Sequence, residues 1–294
     1  MIDFLQALGT GILIGLIYSL MGLSIVIIFR ASEAFNFAIG EFLVVGSFLF
    51  YVLFFDLNLP FLIALPLGLL TAAIAGAIIE RFTIKPLIGQ NPLSMTMITL
   101  GLSFFLRATI QLIFGAESFS FFLELPDITF EAGEFLFLSD PIWAGIFSLI
   151  NFGLVILFLF RTRWGLAIRA TSENQAKALA FGINSRLILL IVWAVSAICI
   201  AVAGIMISNF GALSVRSGIV GLRAIPVVLI GGMDSIAGAL IGGIIIGICE
   251  ALAATYIEPM GLIGFKDVAP YFLMLLVLFI RPYGLFGTVR IERV

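Results

Sequence analysis

The chain has 294 residues, of which 62% are hydrophobic and only 11% charged, and its mean hydropathy is +1.26. Soluble domains carry roughly 25% charged residues, so the deficit marks an integral membrane protein. There is no histidine, which excludes His-based zinc sites, His-ligated haem and Ser–His or Cys–His nucleophile pairs. The two cysteines, Cys199 and Cys249, lie in apolar segments with no neighbouring ligand set and read as small hydrophobes, so no metal site is expected. A formal net charge of −2 is not a pointer to nucleic acid, because the charges sit in separate loops of opposite sign.

The first apolar run, Phe4 to Phe29, exceeds the roughly 20 residues a bilayer requires. With Asp3 before it and no basic segment, it reads as a retained first helix. After Arg30 comes a short polar interruption, 31–41, and then Phe42 to Phe55. Asp56 to Pro60 is a turn, Phe61 to Ile79 spans back, and 80–86 is expected as a short, slightly basic loop. Pro92 to Phe114 is the next span and carries Arg107 as its one charge.

Residues 115–140 form an acidic loop with Glu117, Glu124, Asp127, Glu131, Glu134 and Asp140. Its segments Phe119 to Phe122 and Thr129-Phe130 suggest a short hairpin or an interfacial segment. After a span from Ile142 to Phe160 comes the most polar stretch, 161–186. It holds Arg161, Arg163, Arg169, Lys177 and Arg186 against Glu173, five cations to one acid and a net +4. A basic loop between two membrane-length segments reads as cytoplasmic. Leu166, Ile168, Ala176, Leu179 and Ala180 recur at roughly helical spacing, which predicts short amphipathic helices. Gly182 reads as a helix stop, and Glu173 and Lys177 stand four apart, as an ion pair on one helix would. Two readings stay open for this loop: a solvated linker, or a docking surface for a soluble partner.

Leu187 to Ile207 spans again, and Asn209 to Gly221 is polar and Gly-rich. Two shorter apolar pieces follow, Leu222 to Ile230 and Ile236 to Thr255, split by Gly231-Gly232-Met233-Asp234-Ser235. The first is too short for a full span, so 222–235 reads as a broken or re-entrant segment, which membranes tolerate only where protein or water covers the backbone. Val268 to Ile280 is the last span, and the tail 283–294 is basic. The expected fold is an all-α polytopic membrane protein of about eight transmembrane helices. It forms one transmembrane domain over 1–294, with the acidic loop outside and the basic loop inside. The distribution of Lys and Arg places the N-terminus outside and the C-terminus in the cytoplasm.

Charges at membrane depth are costly and are functional candidates by default. Arg107, Glu41 and Glu250 are such candidates, each against the alternative of structural pairing or snorkelling. Gly238, Gly242, Gly243 and Gly247 read as one close-packed helix face, with Gly11 and Gly15 at the same spacing. There is no G-x-x-x-x-G-K-[ST] motif, so ATP-driven transport would need its ATPase on another chain. A stand-alone ion-coupled carrier working through Glu250, and a structural or signalling membrane protein, remain the rival classes.

Four motifs carry a resemblance: Tyr18 to Phe29 leading into Asn36-Phe37-Ala38-Ile39-Gly40-Glu41; Gly165-Leu166-Ala167-Ile168-Arg169-Ala170 through Gly182-Ile183-Asn184; Gly231-Gly232-Met233-Asp234-Ser235-Ile236-Ala237-Gly238-Ala239; and Arg281-Pro282-Tyr283-Gly284-Leu285-Phe286-Gly287. With them the chain resembles the permease subunits of bacterial branched-chain amino acid ABC transporters, most closely the shorter of the two permeases. It departs from the family at Ile39, where His is common, and at Met233-Asp234, where Leu-Gly is common. The first departure leaves urea, short amides or another small solute open as substrate.

The resemblance implies a permease, not an enzyme, in the bacterial cytoplasmic membrane. It pairs with a second permease chain (a heterodimer, or a homodimer) and with two cytoplasmic ATP-binding subunits. A periplasmic or lipid-anchored binding protein delivers the substrate. The chain itself holds no cofactor, and ATP and Mg belong to the partners. Arg169, Glu173, Lys177 and Gly182 would then serve ATPase coupling. Asn36, Ile39, Glu41, Arg107 and Glu250 would be translocation-path candidates, and Gly231, Gly232, Gly238, Gly242, Gly243 and Gly247 would serve packing and turns.

Overall fold

A computed structural model describes residues 2–87, 90–123, 125–132 and 135–288. Glu124 and Glu134 of the acidic loop, and Arg290 and Arg293 of the basic tail, lie outside the described residues. Twelve α-helices follow in chain order: α1 (Ile2–Ser32), α2 (Ile39–Tyr51), α3 (Phe61–Ile79), α4 (Pro92–Phe114), α5 (Ser139–Arg161), α6 (Arg163–Glu173), α7 (Gln175–Ala180), α8 (Ser185–Asn209), α9 (Gly218–Gly221), α10 (Ala224–Gly231), α11 (Ile236–Leu252) and α12 (Phe265–Ile280). Four short strands accompany them: β1 (Phe119–Ser120), β2 (Phe130–Ala132), β3 (Phe135–Phe137) and β4 (Ala212–Leu213). Among the described residues seven helices are long and apolar enough to cross a membrane. With α12, which at 16 residues is about 24 Å long, the count reaches the eight expected. The fold is all-α and polytopic.

The differences from expectation are local. Residues 80–86 are helical, because a π-helical turn (Glu80–Ile84) and a 3-10 turn (Lys85–Leu87) prolong α3. The Phe119 segment does not pair with Thr129-Phe130. Instead β1 pairs antiparallel with β4, and β2 pairs with β3 in a hairpin of its own. The region 222–235 is broken, as expected: α10 has eight residues, about 12 Å. Gly232 at φ +107° ends it in a conformation that favours glycine.

The chain divides into two compact units. The first comprises 1–26, 123–149 and 223–294. Within it, the small residues of α11 admit two neighbours. Gly238 and Gly242 meet α10 at Gly231 and Val227, while Gly243 and Gly247 meet α1 at Gly15 and Gly11. The four glycines therefore serve two adjacent faces of α11, where the spacing alone suggested one. Close approach of small residues is what drives helix association in lipid. The turn at Gly232 is covered by the C-terminal motif, where the Leu285 and Phe286 amides donate to the Ile230 and Gly231 carbonyls at 2.7 and 3.1 Å.

The second unit comprises 27–122 and 150–222. Its core is α2 and α3 against α8, with Phe48, Phe50 and Trp193 each at most 2% exposed. Gly46 lets α2 reach Ala201, and Gly76 lets α3 reach Ala197 and Trp193 of α8. Gly40 meets Gly218 and Gly221, seating α9 on the start of α2.

Candidate functional site

Among the described residues two ionic clusters lie against the long apolar helices, one in each unit, and a surface helix pair carries the basic segment. The first cluster follows from the glycine packing. Gly11 and Gly15 form a Gly-x-x-x-Gly face on α1, and Gly243 and Gly247 form another on α11. A Cβ on Gly15 would stand 2.7 Å from the Ile244 Cα, so only glycine permits the approach. The pairings run antiparallel: Gly11 lies by Gly247, and Ser19 donates to the Leu240 carbonyl at 2.9 Å. Side chains lean toward their own helix N-terminus, so Tyr18 and Glu250 lean toward each other.

The Tyr18 hydroxyl donates to Glu250 Oε2 at 2.7 Å. Arg223, in the turn between α9 and α10, completes the cluster. Its Nη1 lies 2.6 Å from Glu250 Oε1 and donates to the Tyr18 oxygen at 2.5 Å, and its Nη2 donates to Asp267 Oδ1 on α12 at 2.5 Å. The guanidinium also stands 5.7 Å from the centre of the Tyr18 ring, within cation–π range. One planar fork thus ties α10, α1, α11 and α12 together, a use to which Arg is better suited than Lys. The Arg223 and Glu250 side chains are 19% and 13% exposed, while Asp267 is 57% exposed.

The second cluster lies in the other unit. Glu41, in the first turn of α2, accepts from Arg107 Nη2 on α4 at 2.8 Å. Its carboxylate is buried and Arg107 is half-exposed. Asn36 is buried and accepts from the Ala38 amide at 3.0 Å, which fixes the turn entering α2. Ile39 opens α2 and is 1% exposed. The Thr99 hydroxyl of α4 accepts from the Phe37 amide and donates to the Phe35 carbonyl. Glu41 and Arg107 therefore join α2 to α4, with Asn36 and Ile39 buried at the turn that enters α2, while Glu250 belongs to the first unit.

The basic segment folds as α6 and α7, broken at Asn174. Thr162 caps α6 by accepting from the Gly165 amide, and Asn174 caps α7 by accepting from the Lys177 amide at 2.9 Å. Asn174 is extended, at φ −161° and ψ 103°, so Glu173 and Lys177 belong to different helices. They do not form the pair that a spacing of four suggested. Gly182, at φ +80°, ends α7 as expected, with its amide and that of Ile183 closing on the Leu179 and Ala178 carbonyls. The Arg169 guanidinium lies 4.8 Å over the Phe160 ring, and among the described residues its buried Nε has no hydrogen-bond partner. Ile168 and Ala178 are buried, whereas Trp164, Leu166, Leu179 and Phe181 are exposed, Phe181 at 86%. The amphipathic helices thus keep a large apolar set outward beside Lys177 and Arg163.

Arg223 and Asp267 are not site candidates from sequence, and Tyr18 enters there only as the start of the first motif. Arg223 and Glu250 stand 27 positions apart on separate elements, and no periodicity connects them. The available signal is that Arg223 is a cation inside the broken apolar segment 222–235. Glu250 was identifiable as an intramembrane acid, but its partners were not.

Long apolar helices, with few charges in them, define a polytopic membrane protein. The chain belongs to the family described as branched-chain amino acid transport system, permease component, whose profile matches residues 7–280. It is 30% identical over 312 residues to the high-affinity branched-chain amino acid transport system permease protein BraD of Pseudomonas aeruginosa, covering 99% of this chain and 98% of that one. It is 29% identical over 315 residues to the Escherichia coli permease protein LivH of the same description, with the same coverage. It is also 29% identical over 282 residues to the probable branched-chain amino acid transport permease LivH of Methanocaldococcus jannaschii, covering 91% of this chain and 88% of that one. These relatives are permease components of transport systems.

Proposed function

We propose that this chain is the permease subunit of an ATP-driven importer that moves branched-chain amino acids, or a related small solute, across the cytoplasmic membrane. The observation that carries the reading is the α6–α7 pair. It is a rigidly capped, positively charged surface element between two spans, and it exposes Trp164, Leu166, Leu179 and Phe181. Exposed apolar groups rimmed by charge mark a protein interaction site. A soluble ATPase docked there would move α5 and α8 through the helices that flank the pair. ATP and Mg would be held by two such ATP-binding chains, and the permease itself performs no covalent step.

A second permease chain, different from this one or a copy of it, completes the membrane part. An external binding protein would deliver solute to the face that carries the acidic loop. The N-terminus lies outside and the C-terminus in the cytoplasm. Opposite sides require an odd number of crossings, so α9, the turn at Arg223 and α10 would together have to traverse the membrane in addition to the eight helices.

The test is co-purification of the tagged chain from its host in gentle detergent. Stoichiometric P-loop ATPases are expected, and they should be lost when Lys177→Glu and Phe181→Asp are combined. A chain that purifies alone and transports in liposomes without ATP would overturn the proposal in favour of an ion-coupled carrier working through Glu250.

A further inference from the structure

Beside the Arg223 cluster, α1 and α11 separate into a cavity of about 510 Å³ within the first unit. One wall is the α1 stripe Ala7, Thr10 and Ile14; the other is Gly247 and Ala251 of α11 with Ala254 of the π-helical turn Ala253–Ile257 that follows it. Apart from Ile14 these side chains are small, which leaves space. Glu250 lies at one side, and Asp3 and Lys266 also line the cavity. A cavity of roughly 300–1,000 Å³ with few placed polar groups is the usual form of a small-ligand site. Polar groups at membrane depth face protein or a water-filled space, so this wall is not a lipid-facing one.

The charges are arranged in a particular way. The Glu250 carboxylate binds Arg223 and Tyr18, and a carboxylate has about four lone-pair sites, so it keeps acceptor capacity toward the cavity. Among the described residues, neither Lys266 nor Asp3 is in an ion pair within 4.0 Å. The lining thus offers two carboxylates and one ammonium.

We infer that the cavity between α1 and α11 binds a small zwitterion. The ligand's ammonium goes to Glu250 and Asp3, its carboxylate or phosphate goes to Lys266, and an aliphatic part lies along Ala7, Ile14, Ala251 and Ala254. Two sources share this chemistry: a free amino acid, and the headgroup of an aminophospholipid. The inference rests on the importer reading only for a solute's arrival. Binding is read without ATP, so failure of import and failure of the site are distinguishable.

The experiment uses the purified membrane complex in phosphatidylglycerol nanodiscs, which contain no ammonium lipid. Tritiated L-leucine binding is measured with leucinamide, which lacks the carboxylate, and 4-methylpentanoate, which lacks the ammonium, as competitors. Leucine is expected to bind, and both analogues to compete at least about tenfold more weakly. Lys266→Gln should weaken leucine about tenfold or more and leave leucinamide unchanged, while Asp3→Asn gives a smaller loss. Both positions are at the surface end of the cavity and outside the Arg223 pairings, so these variants should fold.

In parallel, native mass spectrometry of complex taken directly from host membranes reads retained phosphatidylethanolamine. Retention by the wild type but not by Lys266→Gln, with no leucine binding, supports the zwitterion site and assigns it to lipid. The inference is overturned if leucine and its two analogues compete equally. It is also overturned if Lys266→Gln changes neither leucine binding nor lipid retention.

Discussion

Replacing Glu250 by Ala leaves Arg223 facing Tyr18 and a half-exposed Asp267, with its best-buried partner gone. Removing one member of a buried ion pair costs about 3–5 kcal/mol, because the remaining charge is left uncompensated. The residual exposure of Arg223 and Glu250, 19% and 13%, places the expected loss at the lower end, about 3 kcal/mol. The pairing to Asp267, which is 57% exposed, adds at most about 1 kcal/mol. At about 2–4 °C per kcal/mol, Glu250→Ala should lower the unfolding temperature by roughly 6–12 °C.

The triple variant Tyr18→Phe, Arg223→Met, Glu250→Leu removes the three buried members together and leaves only the exposed Asp267. It should return most of that loss, since apolar replacement of a whole buried pair is often neutral. Cys199, fully buried, reports unfolding to a thiol-reactive fluorogenic dye in a Cys249→Ala background. A triple variant falling by the sum of the single losses, or Glu250→Ala matching wild type within about 2 °C, would refute the view that Arg223 is held chiefly by Glu250.

Further expectations follow from packing and caps. Gly15→Leu should disrupt the α1–α11 seam, since even a Cβ there stands 2.7 Å from the Ile244 Cα. Overpacking costs about 1–3 kcal/mol or more, and the same dye assay should show it. Gly182→Ala, at φ +80°, should cost about 1 kcal/mol, read as faster amide exchange at the end of α7 with the spans unchanged. Asn174→Ala removes the α7 cap at about 1 kcal/mol and should reduce ATPase stimulation by the permease while leaving the thermal midpoint within about 2 °C. Arg107→Ala should destabilise more than Glu41→Ala, because it leaves the buried Glu41 carboxylate without its partner, whereas Arg107 is half-exposed and can be solvated. The reverse order would refute the view that the buried carboxylate is what the pair compensates.

Much of this architecture is legible in residue order. Lipid demands long apolar runs and internally satisfied backbones, so α1, α4, α5 and α8 announce themselves, and Gly182 marks the end of α7 because αL geometry favours glycine there. Features that depend on distant partners are not legible. The β1–β4 pairing joins segments more than 90 positions apart, and the Arg223 cluster draws single residues from four elements. The prolongation of α3 through Glu80 to Leu87 overrides a charge pattern that reads as loop. At Asn174 the local side-chain cap prevailed over helix continuity, as Asn does when it competes for the backbone, and that removed an apparent Glu173–Lys177 pair. The glycine stripe of α11 was visible, but its division between α1 and α10 needed both partners in place.

The most direct measurement is uptake of radiolabelled leucine into proteoliposomes containing this chain with its co-purifying ATPases and external binding protein. The account predicts accumulation that requires ATP, is abolished by Lys177→Glu with Phe181→Asp, and is unaffected by collapsing the proton gradient. Uptake by the permease alone, driven by an ion gradient and indifferent to ATP, would contradict it.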